Sequence, residues 1–191
     1  MEGQIIKEIK ESIRVKRIIL ETLVPQIKEL AEAVIEAYRA KRKVILFGNG
    51  GSAADAQHIA CELVGRFEKE RTALPAIALS TNTSTLTAIG NDYGYEAIFA
   101  RQVEAFVKEG DIVIGISTSG DANNVLEGLK VAKEKGAKTV GLSGKSGGRL
   151  KDLVDLCLIV PSNITPRIQE AHITIGHIIC GIVERELFRT K

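Results

Sequence analysis

Five short apolar runs, each unbroken rather than alternating, constrain this chain more than any other feature. They are Lys43–Phe47, Ala76–Leu79, Ile112–Ile116, Thr139–Leu142 and Cys157–Val160. Stretches such as VILF, IVIGI and TVGL, apolar on consecutive positions, suit strands covered on both faces, which is how strands of a parallel sheet are buried. Between them lie stretches with helical spacing, Ser52–Phe67, Glu96–Val107, Ala122–Lys135 and about Thr165 to Phe188. Strand and helix in alternation predict a three-layer αβα sandwich around a parallel sheet of about five strands. Ligands of such folds bind beyond the carboxyl ends of the strands, so the loops after the strands are where chemistry belongs.

The segment before the first strand is different. Ile5, Ile9, Ile13, Leu20, Leu23, Ile27, Leu30, Ala31 and Val34 recur at helical spacing, and Pro25 divides the stretch into two helices. This much amphipathic helix needs a surface to cover, and a partner subunit is one. No repeat, low-complexity tract or linker marks a boundary, so residues 1–191 read as one domain.

Composition narrows the function. A formal charge of +2, 4% aromatic residues and no Trp leave neither the basic footprint nor the stacking surface of a nucleic-acid binder. Three cysteines, Cys61, Cys157 and Cys180, are odd in number and lack CxxC spacing, which points to a reducing compartment. The N-terminus has no uninterrupted apolar core of a secretory signal, and no segment is apolar for long enough to span a membrane. The expectation is a soluble, cytoplasmic protein.

Two strand-ending loops stand out. The first strand runs into Gly48-Asn49-Gly50-Gly51-Ser52 and straight into a helix, with Ser52 expected at the N-cap. Glycines let the backbone approach a ligand, and free helix amides favour an anion. The spacing is neither a Walker A loop nor GxGxxG, and an ordinary tight turn also accounts for it. The third strand ends in Ser117-Thr118-Ser119-Gly120. Three hydroxyls exceed what one helix cap needs and suit a phosphate monoester, although a capping cluster is the plainer alternative.

His58 and Glu62 lie four residues apart, on one face of the helix that begins at the first loop. They are a metal pair, an acid/base pair or a surface ion pair. Glu62 is ~15 Å along from Ser52, enough to reach the far end of an extended sugar phosphate. The last helix carries Gln169, His172 and His177. Gln169 and His177 are ~12 Å apart along it, so action at one centre requires both side chains to lean together or two subunits to contribute. Gly90-Asn91-Asp92-Tyr93-Gly94 reads as turn chemistry that also offers groups for sugar hydroxyls.

Taken in order, Gly48-Asn49-Gly50-Gly51-Ser52, His58-x-x-x-Glu62, Gly90-Asn91-Asp92, Ser117-Thr118-Ser119-Gly120 and Arg167-Ile168-Gln169-Glu170 with His177 closely resemble the phosphoheptose isomerases, a branch of the sugar isomerase (SIS) domain superfamily. The resemblance covers nearly the whole chain. It implies a SIS domain with flavodoxin-like strand order, and conversion of sedoheptulose 7-phosphate to D-glycero-D-manno-heptose 7-phosphate through an enediol, for ADP- or GDP-heptose biosynthesis. Carried over by residue, it implies that Asn49, Gly50, Gly51, Ser52, Ser117, Thr118 and Ser119 hold the substrate, chiefly its phosphate. Asn91, Asp92, Glu62 and Gln169 would also contact it. Glu62 would be the general base and His177 the general acid/base. His58, Glu62, Gln169 and His177 would match zinc ligands, one ion per subunit, either polarising the carbonyl or holding a structural state. It further implies a homotetramer in which residues 1–41 join the helical core.

Two positions depart from the family pattern: Ala122 replaces a serine that adds a phosphate donor, and Pro166 replaces an aspartate or alanine. The same superfamily includes non-catalytic regulators, some binding a replication initiator protein and others a sugar phosphate. The initiator-binding regulators lack the Glu and the final His, both of which this chain has.

Overall fold

The computed structural model describes residues 1–189. Two helices open it, α1 (Glu2–Thr22) and α2 (Val24–Arg39), and Pro25 lies in the first turn of α2, where a missing N–H costs nothing. Then follow β1 (Val44–Gly48), α3 (Gly51–Val64), β2 (Ala76–Ala78), α4 (Thr83–Tyr93), α5 (Ala97–Phe106), β3 (Ile112–Ser117), α6 (Asn123–Glu134), β4 (Lys138–Ser143), α7 (Leu150–Leu153), β5 (Leu156–Ile159) and α8 (Thr165–Leu187).

All strand pairs are parallel and the order is β2-β1-β3-β4-β5, as the resemblance implies. The reversal of strand order lies between β1 and β3, which are neighbours, so their two loops open at the same crevice.

Each strand divides its side chains between two cores, as a period of two requires. Val44 and Leu46 of β1, with Ile112, Ile114 and Ile116 of β3, face the layer of α1, α2, α3 and α8. Ile45, Phe47 and Val113 face α5, α6 and α7. Phe47 and Phe99 stack there with ring centroids 4.9 Å apart. The apolar runs are unbroken because both faces of the sheet are covered.

Two local expectations change. Gly90-Asn91-Asp92 is not a loop: Asn82 caps α4 by accepting from the Thr85 N–H, and the helix continues through Tyr93 to Gly94, whose φ of 89° ends it. Turn composition alone did not reveal the cap eight residues upstream. The N-cap of α3 is Gly50, with φ 55°, so Ser52 is already inside the first turn and buried. The sharp entry needs a left-handed residue, which glycine supplies and serine does not.

Candidate active site

The loop after β1 meets the first turn of α6, which follows the loop after β3, through a reciprocal amide pair. Asn49 Nδ2 donates to Asn124 Oδ1 and Asn124 Nδ2 donates to Asn49 Oδ1, both at 2.8 Å. Tyr95 adds its hydroxyl to Asn49 Oδ1 at 3.2 Å. Asn124 and Tyr95 were not singled out from sequence; an asparagine in the first turn of α6 and a tyrosine in an α4–α5 turn carry no motif of their own. The pair fixes the two loops relative to each other and leaves the Gly50 and Gly51 amides at the start of α3.

Ser117, Thr118 and Ser119 cluster beside them. Ser117 Oγ lies 3.4 Å from Ser119 Oγ and accepts the Gly120 N–H at 3.2 Å, while Ser119 Oγ accepts the Asp121 N–H. A Cβ at Gly120, whose φ is 74°, would come within 2.0 Å of the Gly147 carbonyl, so the loop is packed backbone against backbone. Ala122, at the N-cap of α6 with extended dihedrals, provides no side-chain cap. Asn91 and Asp92 are exposed on the last turn of α4 and bond each other at 2.8 Å.

α3 and α8 run side by side in the same direction. A Cβ at Gly51 would come within 2.2 Å of Gln169 Nε2, and one at Gly176 within 2.6 Å of Ile59. Gln169 therefore sits at the end of the site nearest the loop after β1. About two turns on, His177 Nε2 meets His58 Nε2 at 3.0 Å, and His58 Nε2 meets Glu62 Oε1 at 3.1 Å. Ligand atoms of His58, Glu62 and His177 all lie within 4.8 Å of one another. One chain thus brings Glu62 and His177 together without a second subunit. The Pro166 departure is harmless to the helix, since it lies in the first turn of α8.

This donor set fits a cation. Two imidazole nitrogens 3.0 Å apart share at most one proton between them unless charged, and a carboxylate oxygen faces the same point. Two nitrogens and one oxygen are a donor set that zinc accepts. Gln169, at Gly51, belongs by its described contact to the other end of the site.

Two groups nearby, one half-buried and one fully buried, have strongly moved pKa values. Asp55, on α3 between Gly51 and His58, is pushed up to about 6 by burial, with His58 acting in the opposite direction, and its Oδ2 has no hydrogen-bond partner. His172 is fully buried and accordingly lowered to about 4; its Nε2 lies 3.0 Å from the Ser143 carbonyl, which requires the proton on Nε2. It is therefore a neutral strut between α8 and β4.

The profile described as the SIS domain matches residues 9–144. The chain belongs to the SIS domain family. Its relatives place it in the phosphoheptose isomerase branch. It is 60% identical to the phosphoheptose isomerase of Roseiflexus sp. (strain RS-1) over 184 residues, covering 96% of this chain and 93% of the relative. It is 58% identical to the enzyme of that name from Clostridium acetobutylicum, covering 100% and 98%. A solved phosphoheptose isomerase from Francisella tularensis superposes with a TM-score of 0.93 at 39% identity, covering 96% and 97%. Phosphoheptose isomerases are isomerases, and the rival set of non-catalytic regulators is not favoured.

Proposed function

We propose that this SIS-domain protein interconverts sedoheptulose 7-phosphate and D-glycero-D-manno-heptose 7-phosphate. The observation that carries the reading is the meeting of Glu62 and His177, within one chain, at the far end of a helix that starts at a phosphate-competent loop.

The phosphate docks on the Gly50 and Gly51 amides and on Ser52, Ser117, Thr118 and Ser119, where the positive end of α3 stabilises it. Gln169, Asn91 and Asp92 orient the polyol. The extended chain then delivers C1 and C2 to Glu62 and His177. Glu62 removes a proton from C1 of the ketose as the carbonyl at C2 gains one, giving the enediol. Glu62 returns its proton to C2 while His177 carries the hydroxyl proton between the two oxygens, leaving the aldehyde at C1. His177 also assists ring opening.

His58, Glu62 and His177 would hold zinc, which when bound polarises a carbonyl oxygen, while Gln169, seated against Gly51, lies too far along α8 to join them. We further place the enzyme in the cytoplasm, in keeping with three free cysteines among the described residues. Among those residues, no helix is long and apolar enough to cross a membrane.

We also propose a homotetramer joined partly through residues 1–41. Ile5, Ile6, Ile9, Ile13 and Leu20 of α1 are each at least 46% exposed, and a groove of about 590 Å³ between α2 and α8 is lined by Val24, Ile27, Ala31, Ile35, Ile178 and Ile182. That apolar area suits a second copy.

The test is solvent-proton exchange into sedoheptulose 7-phosphate, followed by NMR with and without a chelator. Exchange and product are expected in the wild type and neither in Glu62→Gln, with the assembly intact. Normal turnover by Glu62→Gln rejects the assignment of the base.

A further inference from the structure

The segment that follows α3 is organised around one buried carboxylate. Glu184, two turns beyond His177 on α8, accepts the N–H groups of Phe67, Glu68 and Lys69 at 3.0, 2.8 and 2.7 Å and the Arg71 Nε–H at 2.9 Å. Both side chains of the pair are hidden, at 1% exposure for Arg71 and 2% for Glu184. Burial alone would raise the Glu184 carboxyl, but the three backbone donors and Arg71 together hold it down to about 2. It is therefore a fixed anion at any working pH.

The rest of the Arg71 guanidinium is directed at the end of α3. Its Nη2 donates to the Glu62 carbonyl at 2.8 Å, and its Nη1 to the carbonyls of Leu63, Gly65 and Thr72 at 3.0, 3.2 and 3.0 Å. The last carbonyls of a helix have no partner within it. Here one side chain supplies several, including that of Glu62 itself. The same clamp places the Phe67 ring 5.7 Å from the His177 ring, while the Arg71 guanidinium lies 5.6 Å over the Phe188 ring. One ion pair thus reaches the backbone of the proposed base and the ring beside the proposed acid.

We propose that Arg71 and Glu184 are positioning residues for the isomerisation, setting the register of the α3 terminus against α8 so that Glu62 and His177 converge. The inference rests on the reading of Glu62 and His177 as the acid/base pair. The clamp lies at the opposite end of α3 from the phosphate loops, so it acts on the chemical step and leaves docking alone. Small displacements of reacting groups reduce rate steeply: about 1 Å can cost on the order of a hundredfold.

The experiment compares Glu184→Gln and Arg71→Lys in the full chain. Glutamine keeps the shape of Glu184 but accepts weakly, and lysine keeps the charge of Arg71 but cannot reach several carbonyls at once. Each variant is assayed with sedoheptulose 7-phosphate well below its own melting temperature. The ring nitrogens of His58 and His177 are read by long-range proton–nitrogen NMR, without added metal. The expected result is kcat lowered about 10- to 100-fold with KM within about threefold, together with shifted His58 and His177 ring signals. Wild-type kcat and unshifted ring signals in a folded variant, even one of reduced melting temperature, overturn the proposal. Failure of both variants to fold also overturns it, assigning the pair to stability alone. Glu62→Gln in the same assay separates the two readings. If it turns over normally the base is wrong, and the histidine signals still decide whether the clamp positions the cluster.

Discussion

Replacing Gly51 with alanine tests how the phosphate end of the site is built. Gly51 is the first residue of α3, and its φ is not among the positive values, so alanine is compatible with the backbone and gains up to about 1 kcal/mol of helix propensity. The new Cβ would lie 2.2 Å from Gln169 Nε2 and 2.9 Å from its Cδ. Ordinary carbon contacts begin near 3.5 Å, so the carboxamide must withdraw by more than about 1 Å. The end of a flexible side chain can do so, and the fold survives: the melting temperature should stay within about 3 °C. What is lost is the hydrogen bond that Gln169 is proposed to give the hydroxyls of the bound sugar. At about 0.5–1.5 kcal/mol for a bond to a neutral hydroxyl, that is roughly a 2- to 10-fold fall in kcat/KM. Steady-state assays and thermal melts on Gly51→Ala, Gln169→Ala and the double variant supply a cycle. In the Gln169→Ala background, Gly51→Ala should cost less than about 0.5 kcal/mol further. Additive losses in the double variant would show that Gly51 does not act through Gln169.

Three further outcomes follow from the structure. Ala122→Ser should supply the missing cap of α6 and a phosphate donor, raising stability by about 1 kcal/mol and lowering the KM for the phosphorylated substrate, read by melts and kinetics. His172 has a folded-state pKa below its unfolded one, so its contribution is complete above pH 6.5 and is lost as pH falls through about 4. By pH 4.5 the loss is about 2.5 kcal/mol, and His172→Gln, whose amide can still donate to the Ser143 carbonyl, should flatten that part of the melting-temperature profile. Zinc at about a hundred times its dissociation constant should stabilise the protein by about 2.7 kcal/mol in thermal melts, a shift that a chelator reverses and His58→Ala abolishes.

Much of the layer plan is visible in the sequence, because a parallel sheet buries both faces and so writes unbroken apolar runs at β1, β3 and β4. α4 is not visible: no residue of it is fully buried, and its apolar stripe is only Leu86 and Ile89, too short to mark a helix. The loops and the His58/Glu62 spacing are legible as local patterns. The approach of His177 to His58 is not, since it depends on how two helices far apart in the chain lie together. Asn124, Arg71 and Glu184 are invisible for the same reason. Asparagine, arginine and glutamate read as surface residues until the fold supplies the partners that bury them.

The parallel course of α3 and α8 has a consequence for which sugars fit. In the proposed site each rod carries a phosphate-end group and a reaction-end group, Gly51 with His58 and Glu62 on one, Gln169 with His177 on the other. The gap between anchor and acid/base centre is thus counted in whole coils of about 5.4 Å and cannot be tuned in fractions. Moving to a shorter phosphorylated sugar would need matched deletions in both rods, since trimming one alone would turn its working side chains away from the other.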